Sequence, residues 1–171
     1  TSNATSNFAV TGDTTAPTVS NVAITSATGI QNYLLNAGDV ISVTATFNEN
    51  VTVTGIPQLT IVVGNTNRTA TYATGSGSTS LVFQYTIQAG ETDANGISIL
   101  ANTFALYSST IKDAAGNYAT LTHSPVSANT GYKVDTTAPT ANFTAATDNV
   151  GKVTGALTSG NTTDDPALAL S

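Results

Sequence analysis

The residues of this chain that can do chemistry are oxygen donors. Ten Asp and Glu stand against four Lys and Arg, there is one His, and there is no Cys. The formal net charge is −6. A base-poor, acidic chain cannot neutralise phosphates, which argues against a nucleic-acid partner. Without thiols there is no disulfide framework and no thiolate chemistry. Carboxylates grouped without bases repel one another unless a cation neutralises them. An acidic, base-poor chain therefore invites divalent cations. The single histidine, His123 in "LTHSPV", has no Ser–His–Asp spacing around it and reads as structural. Asp164 and Asp165 are sequence neighbours, which does not place two carboxyls across a sugar as a glycosidase needs. No catalytic residue is assigned, and the chain reads as a non-enzyme.

The elements that must position these donors are strands. "VISVTATF" (40–47) alternates Ile41, Val43, Ala45 and Phe47 with Ser42, Thr44 and Thr46. "TSLVFQYTIQ" (79–88) does the same with Leu81, Phe83, Tyr85 and Ile87. "PQLTIVV" (57–63) and "RTATYAT" (68–74) add two more. Period-two alternation rich in Thr and Val predicts half-buried strands. The turn clusters "GNTN", "GSGS", "AGETDANG" and "DAAGN" separate them, and no amphipathic helix is evident. Many short strands with frequent turns predict an all-β, immunoglobulin-like β-sandwich. If successive strands alternate direction, the loops fall at two poles. Glu49, Asp113 and Asn117 then gather with Asp13 at one pole. Glu91, Asp93 and Asn95 gather with Asp135 at the other. Asp148, Asp164 and Asp165 belong to whatever follows. These acids can hold a divalent cation or can be solvated loop acids; spacing alone leaves both open, since Asp, Asn and Gly are also plain turn formers.

The phrase "DTTAPT" occurs twice, and its first Asp is Asp13 in one copy and Asp135 in the other, 122 residues apart. That interval is about one all-β domain, so the phrase marks a junction between repeats. The predicted organisation has three parts. Residues 1–12 are the end of a preceding repeat or a disordered arm. Residues 13–136 are one complete sandwich. Residues 137–171 are a linker and the first-strand region of a next domain. The chain has no Met and no run of 18 apolar residues, so it reads as a piece of something longer without a membrane span.

Four stretches carry a family resemblance: "DTTAPTVSNVAITSATG", "LNAGDVISVTATFNENVTVTGIPQLTI", "RTATYATGSGSTSLVFQYTIQAGETDANGI" and "IKDAAGNYA". Together they resemble the bacterial Ig-like tandem repeats of giant RTX and biofilm-associated adhesins exported by type I secretion. The resemblance covers nearly all of residues 13–136. The tail "TAATDNVGKVTGALTSGNTTDDPALALS" resembles a different repeat type from the same proteins. The resemblance implies tandem sandwiches in one chain, calcium at the domain junctions, and an extracellular, cell-surface stalk serving adhesion and biofilm formation. The host or surface ligand would then lie elsewhere in the full protein. Two other readings stand beside it. One is a ligand-binding Ig-like module for glycan, peptide or ice. The other is a subunit of a self-assembling surface fibre built by strand addition.

Overall fold

The computed structural model describes residues 12–140 and three short strands beyond them. Among the described residues thirteen strands run in chain order: β1 (Val19–Thr28), β2 (Leu34–Leu35), β3 (Val40–Thr54), β4 (Gln58–Val63), β5 (Thr66–Thr74), β6 (Ser78–Thr86), β7 (Thr92–Asp93), β8 (Phe104–Ala105), β9 (Thr110–Lys112), β10 (Lys133–Asp135), β11 (Ala146–Asp148), β12 (Gly155–Leu157) and β13 (Ala169–Leu170). No helix occurs among the described residues, and none is therefore long and apolar enough to cross a membrane. The chain divides into two compact units, Thr1–Thr137 and Ala138–Ser171, with the boundary inside the second "DTTAPT".

The first unit is built on an antiparallel sheet in the order β1-β3-β6-β5-β4-β8, with β9 added to the far half of β3. The predicted alternation sets its inner face. Ile41, Val43, Ala45 and Phe47 of β3 are buried, as are Leu81 and Phe83 of β6 and Leu59, Ile61 and Val63 of β4. The sheet curls, so these rows meet one another and Val22, Ile24, Ile97, Ile99 and Ile111 in one core. An edge-to-face aromatic series, Tyr72–Phe83–Phe104–His123, links β5, β6, β8 and the segment after β9, with centroids 6.0, 5.5 and 5.3 Å apart. A smaller sheet, β2-β10-β7, holds β10 parallel to β2 and antiparallel to β7. In the second unit β11 pairs antiparallel with β12 and β13.

One local departure from the sequence reading matters for the site. "NEN" (48–50) reads as a loop, yet β3 runs through it to Thr54. Between two aligned pairs, Thr46↔Ser80 and Val51↔Ser78, β3 advances five residues while β6 advances two. The surplus forms a bulge that carries Glu49. The chain continues as strand because Thr52–Thr54 find a new partner in β9. A bulge of this kind bends the strand and re-aims a side chain.

Candidate metal centre

The bulge, the linker and the turn after β9 converge at one pole of the first unit. A carboxylate oxygen from each of Asp13, Glu49 and Asp113 lies within 4.8 Å of the other two. Asp13 is exposed, Glu49 is half-buried, and Asp113 is 6 % exposed.

Each acid is held by a different device. Asp13 forms a turn in which its Oδ1 accepts from the Thr15 N–H at 2.9 Å. Asp113 shapes the loop that follows β9: Oδ1 accepts from the N–H groups of Gly116 (2.6 Å) and Asn117 (2.8 Å). Burial alone raises the Asp113 carboxyl. The bonds from the side chain and backbone of Asn117 and from the Gly116 and Ala115 backbone outweigh burial and hold it below its ordinary 3.8. Glu49 has no such donors among the described residues. Burial, then the charges of Asp13 and Asp113, push its carboxyl above its ordinary 4.5.

Asn117 acts as a clamp. Its Nδ2 donates to Asp113 Oδ2 at 2.7 Å, to the Asp13 carbonyl at 3.1 Å and to the Thr15 carbonyl at 3.3 Å. The linker is tied further along as well. Thr120 N–H donates to the Pro17 carbonyl at 2.7 Å, and Thr18 N–H donates to Asn48 Oδ1 at 2.7 Å. The first "DTTAPT" is therefore docked along the pole before any ion is considered. The neighbouring base is turned elsewhere: Lys112 Nζ sits 4.2 Å from the centroid of the Tyr118 ring. Among the described residues the ion pair is Arg68–Glu91, remote from these three acids.

The donor set is all carboxylate oxygen, with no nitrogen or sulfur. It fits a hard divalent cation such as calcium rather than zinc or copper. Asp13, Glu49 and Asp113 would hold the ion, and the ion would supply the positive charge that their mutual repulsion lacks.

The other pole is different. No group of three carboxylates forms there among the described residues. Glu91 is 5 % exposed and already saturated by protein donors. Its Oε1 accepts from the Tyr85 hydroxyl at 2.6 Å and pairs with Arg68 Nε, and its Oε2 accepts from Gln88 N–H at 2.8 Å. Burial, then the bond to Glu91, raises the Tyr85 hydroxyl above the ordinary phenol range. Asp93 is 2 % exposed and ties two turns together, accepting from Gly64 N–H (2.7 Å) and Gly96 N–H (2.9 Å). Both carboxylates, expected from sequence to face a cation, serve protein donors here and act as pins of the fold. Asn95 is exposed in the turn between them and Ile97. Asp135 is exposed and repeats the turn of Asp13, its Oδ1 accepting from Thr137 N–H at 2.9 Å.

Asp135 also shares a cleft of about 290 Å³ with Asp39, Asn36 and Asn32. Asp39 was not among the acids singled out from sequence. It precedes the strand 40–47, and the same alternation of strand direction would have placed it at this pole. Asp148 ends β11 in the second unit, while Asp164 and Asp165 lie outside the described residues, as do residues 1–11.

His123 is a structural residue. Its Nε2 accepts from Thr103 N–H at 3.0 Å, which puts the ring proton on Nδ1, 2.9 Å from the Ser124 carbonyl. Comparison with family models, with curated proteins and with solved structures gave no match.

Proposed function

We propose that the chain is an extension module of a large extracellular bacterial adhesin, an Ig-like sandwich in a tandem array whose junction is stiffened by calcium. The observation that supports this is the convergence of Asp13, Glu49 and Asp113 without a basic partner among the described residues, because one of the three belongs to the linker. An ion held there joins the linker to the body of the domain at two further points, the β3 bulge and the loop after β9. The repeated "DTTAPT" supports the array, since Asp13 and Asp135 build the same turn. The all-β fold supports a load-bearing role, because its local hairpins are tied together by pairings between strands distant in sequence, such as β3 with β6 and with β9. The sequence resemblance supplies the surface location and the adhesive context. The reading needs no catalytic group.

Thermal unfolding in millimolar calcium and again in excess EGTA tests it. Binding to the folded state stabilises by about 2.7 kcal/mol at a hundredfold excess over the dissociation constant. The expected outcome is a clear calcium-dependent rise in Tm. An unchanged Tm would remove the metal and leave a plain spacer.

A further inference from the structure

We propose that Asn117 is a positioning residue of the calcium centre and not one of its ligands: its side-chain amide docks the linker on the domain without an ion, and so sets how tightly the ion is held. That role rests on the calcium reading above and adds to it the order in which the junction is built, linker first and ion second. An amide carries an oxygen that binds cations and an NH2 that does not, so its orientation decides its role. Nδ2 of Asn117 lies 2.7 Å from Asp113 Oδ2, 3.1 Å from the Asp13 carbonyl oxygen and 3.3 Å from the Thr15 carbonyl oxygen. Three acceptors around one nitrogen fix the amide, since the flipped form would set its oxygen against three others. The face that Asn117 turns to Asp113 and the linker is therefore a donor, which opposes a cation instead of binding it.

The backbone aims this amide independently of the linker. Asp113 and Asn117 close a return loop behind β9: Asp113 N–H donates to the Asn117 carbonyl at 3.1 Å, and Asp113 Oδ1 accepts from the N–H groups of Gly116 and Asn117. Ala119 N–H then returns to the Ile111 carbonyl at 3.0 Å. None of these bonds uses the Asn117 side chain, so the loop keeps them when that side chain is removed. The linker is held by far less. Among the described residues the Asp13 carboxylate accepts from Thr15 N–H, a turn that moves with the linker itself. The next ties to the body begin only at the Pro17 carbonyl, bonded to Thr120 N–H, and at Thr18 N–H, bonded to Asn48 Oδ1. Asn117 is therefore what fixes Asp13 beside Glu49 and Asp113.

A ligand fixed in place before the ion arrives does not have to be ordered by it, and affinity gains accordingly. Apparent affinity falls in proportion to the fraction of chains whose linker is docked. If loss of the clamp leaves Asp13 docked a tenth of the time, calcium binds about tenfold more weakly. The coupling is reciprocal, so calcium must then order the linker in the variant, which the parent does for itself.

The test uses the whole chain. Calcium is titrated calorimetrically into the parent, Asn117→Ala and Asn117→Asp, and ¹⁵N relaxation of the linker is measured in EGTA. Both variants should bind calcium about tenfold or more weakly. A ligand at this position predicts the opposite for Asn117→Asp, because affinity rises with the number of charged ligands. Asp13→Asn should weaken binding about tenfold in the parent but less than about threefold when added to Asn117→Ala, since Asp13 is no longer presented there. In EGTA the Thr14 and Thr15 amides of the parent should be as ordered as the strands, with order parameters of about 0.85. In Asn117→Ala they should fall below about 0.6 while the β9 amides keep theirs. Binding in Asn117→Asp as tight as in the parent, or tighter, would overturn the positioning role. A linker equally ordered in the parent and Asn117→Ala would overturn it too, as would a linker already mobile in the parent without calcium. No calcium binding in the parent would instead overturn the calcium reading, and this role with it; whether the parent binds tells the two failures apart.

Discussion

Replacing Glu91 by Ala should be among the most damaging single substitutions outside the hydrophobic core. Its carboxylate is 5 % exposed and receives Tyr85 OH, Gln88 N–H and Arg68 Nε. Its backbone carbonyl also accepts from the Thr136 hydroxyl at 3.0 Å, so the same residue holds the start of the second linker. Truncation leaves the Gln88 N–H and the Tyr85 hydroxyl without acceptors in a half-buried place. Arg68, with 36 % of its side chain exposed, recovers part of its hydration, so its share is discounted. With Arg68 discounted, the cost is that of the two donors left without acceptors, about 1–3 kcal/mol each. For a unit of this size that lowers Tm by roughly 10–20 °C. Urea denaturation of the variant and the parent measures it, with Arg68→Ala as the milder companion and the double variant as the coupling control. A loss below about 1 kcal/mol for Glu91→Ala would refute the view of Glu91 as a pin, and would return it to the pool of free ligands.

Three further outcomes follow from the same geometry. Glu49→Gln should have opposite effects with and without cation. The folded carboxyl of Glu49 lies above its ordinary value, so its favourable contribution exists only at low pH and is lost as pH rises through the folded value. At neutral pH in EGTA the variant should therefore be at least as stable as the parent in thermal unfolding, and less stable than the parent in calcium. The raised Tyr85 hydroxyl gives stability that is present below the ordinary phenol value of 10.0 and is lost at higher pH. A tyrosine absorbance titration should show a late-ionising phenol that disappears in Tyr85→Phe. Gly96→Ala should cost about 2 kcal/mol or more in denaturant titration. Gly96 sits at φ +94°, and a Cβ there runs into the Asn129 carbonyl oxygen while its N–H serves Asp93.

The sequence made the strands legible where one face is buried. Ile41, Val43, Ala45 and Phe47 alternate with polar residues because the sheet has one apolar side, and that alternation is local information. The alternation of strand direction then placed Asp13, Glu49, Asp113 and Asn117 at one end, where they meet. The passage of β3 through "NEN" was not legible, because its continuation depends on a partner, β9, more than fifty residues away. Nor was the pinning role of Glu91 and Asp93 legible. Whether a loop acid faces water, an ion or a buried N–H depends on which turn packs above it, as Gly64 packs on Asp93. The parallel pairing of β10 with β2 was hidden for a similar reason, since two-residue strands carry no periodicity. Asn117 stood out only as a turn residue with an oxygen. Its two donations to the linker emerge from the docked path of Asp13–Thr15.

Calorimetric titration of calcium into the parent chain and into Glu49→Gln is the most direct test of the metal centre. Glu49 is the right residue to change, because it reaches the cluster without donors that hold the fold, whereas Asp113 shapes its own loop. The account expects saturable binding in the parent and a loss of about tenfold or more in affinity in the variant, since affinity follows the number of charged ligands. Absence of heat in the parent, or equal binding in both chains, would contradict a calcium centre at Asp13, Glu49 and Asp113.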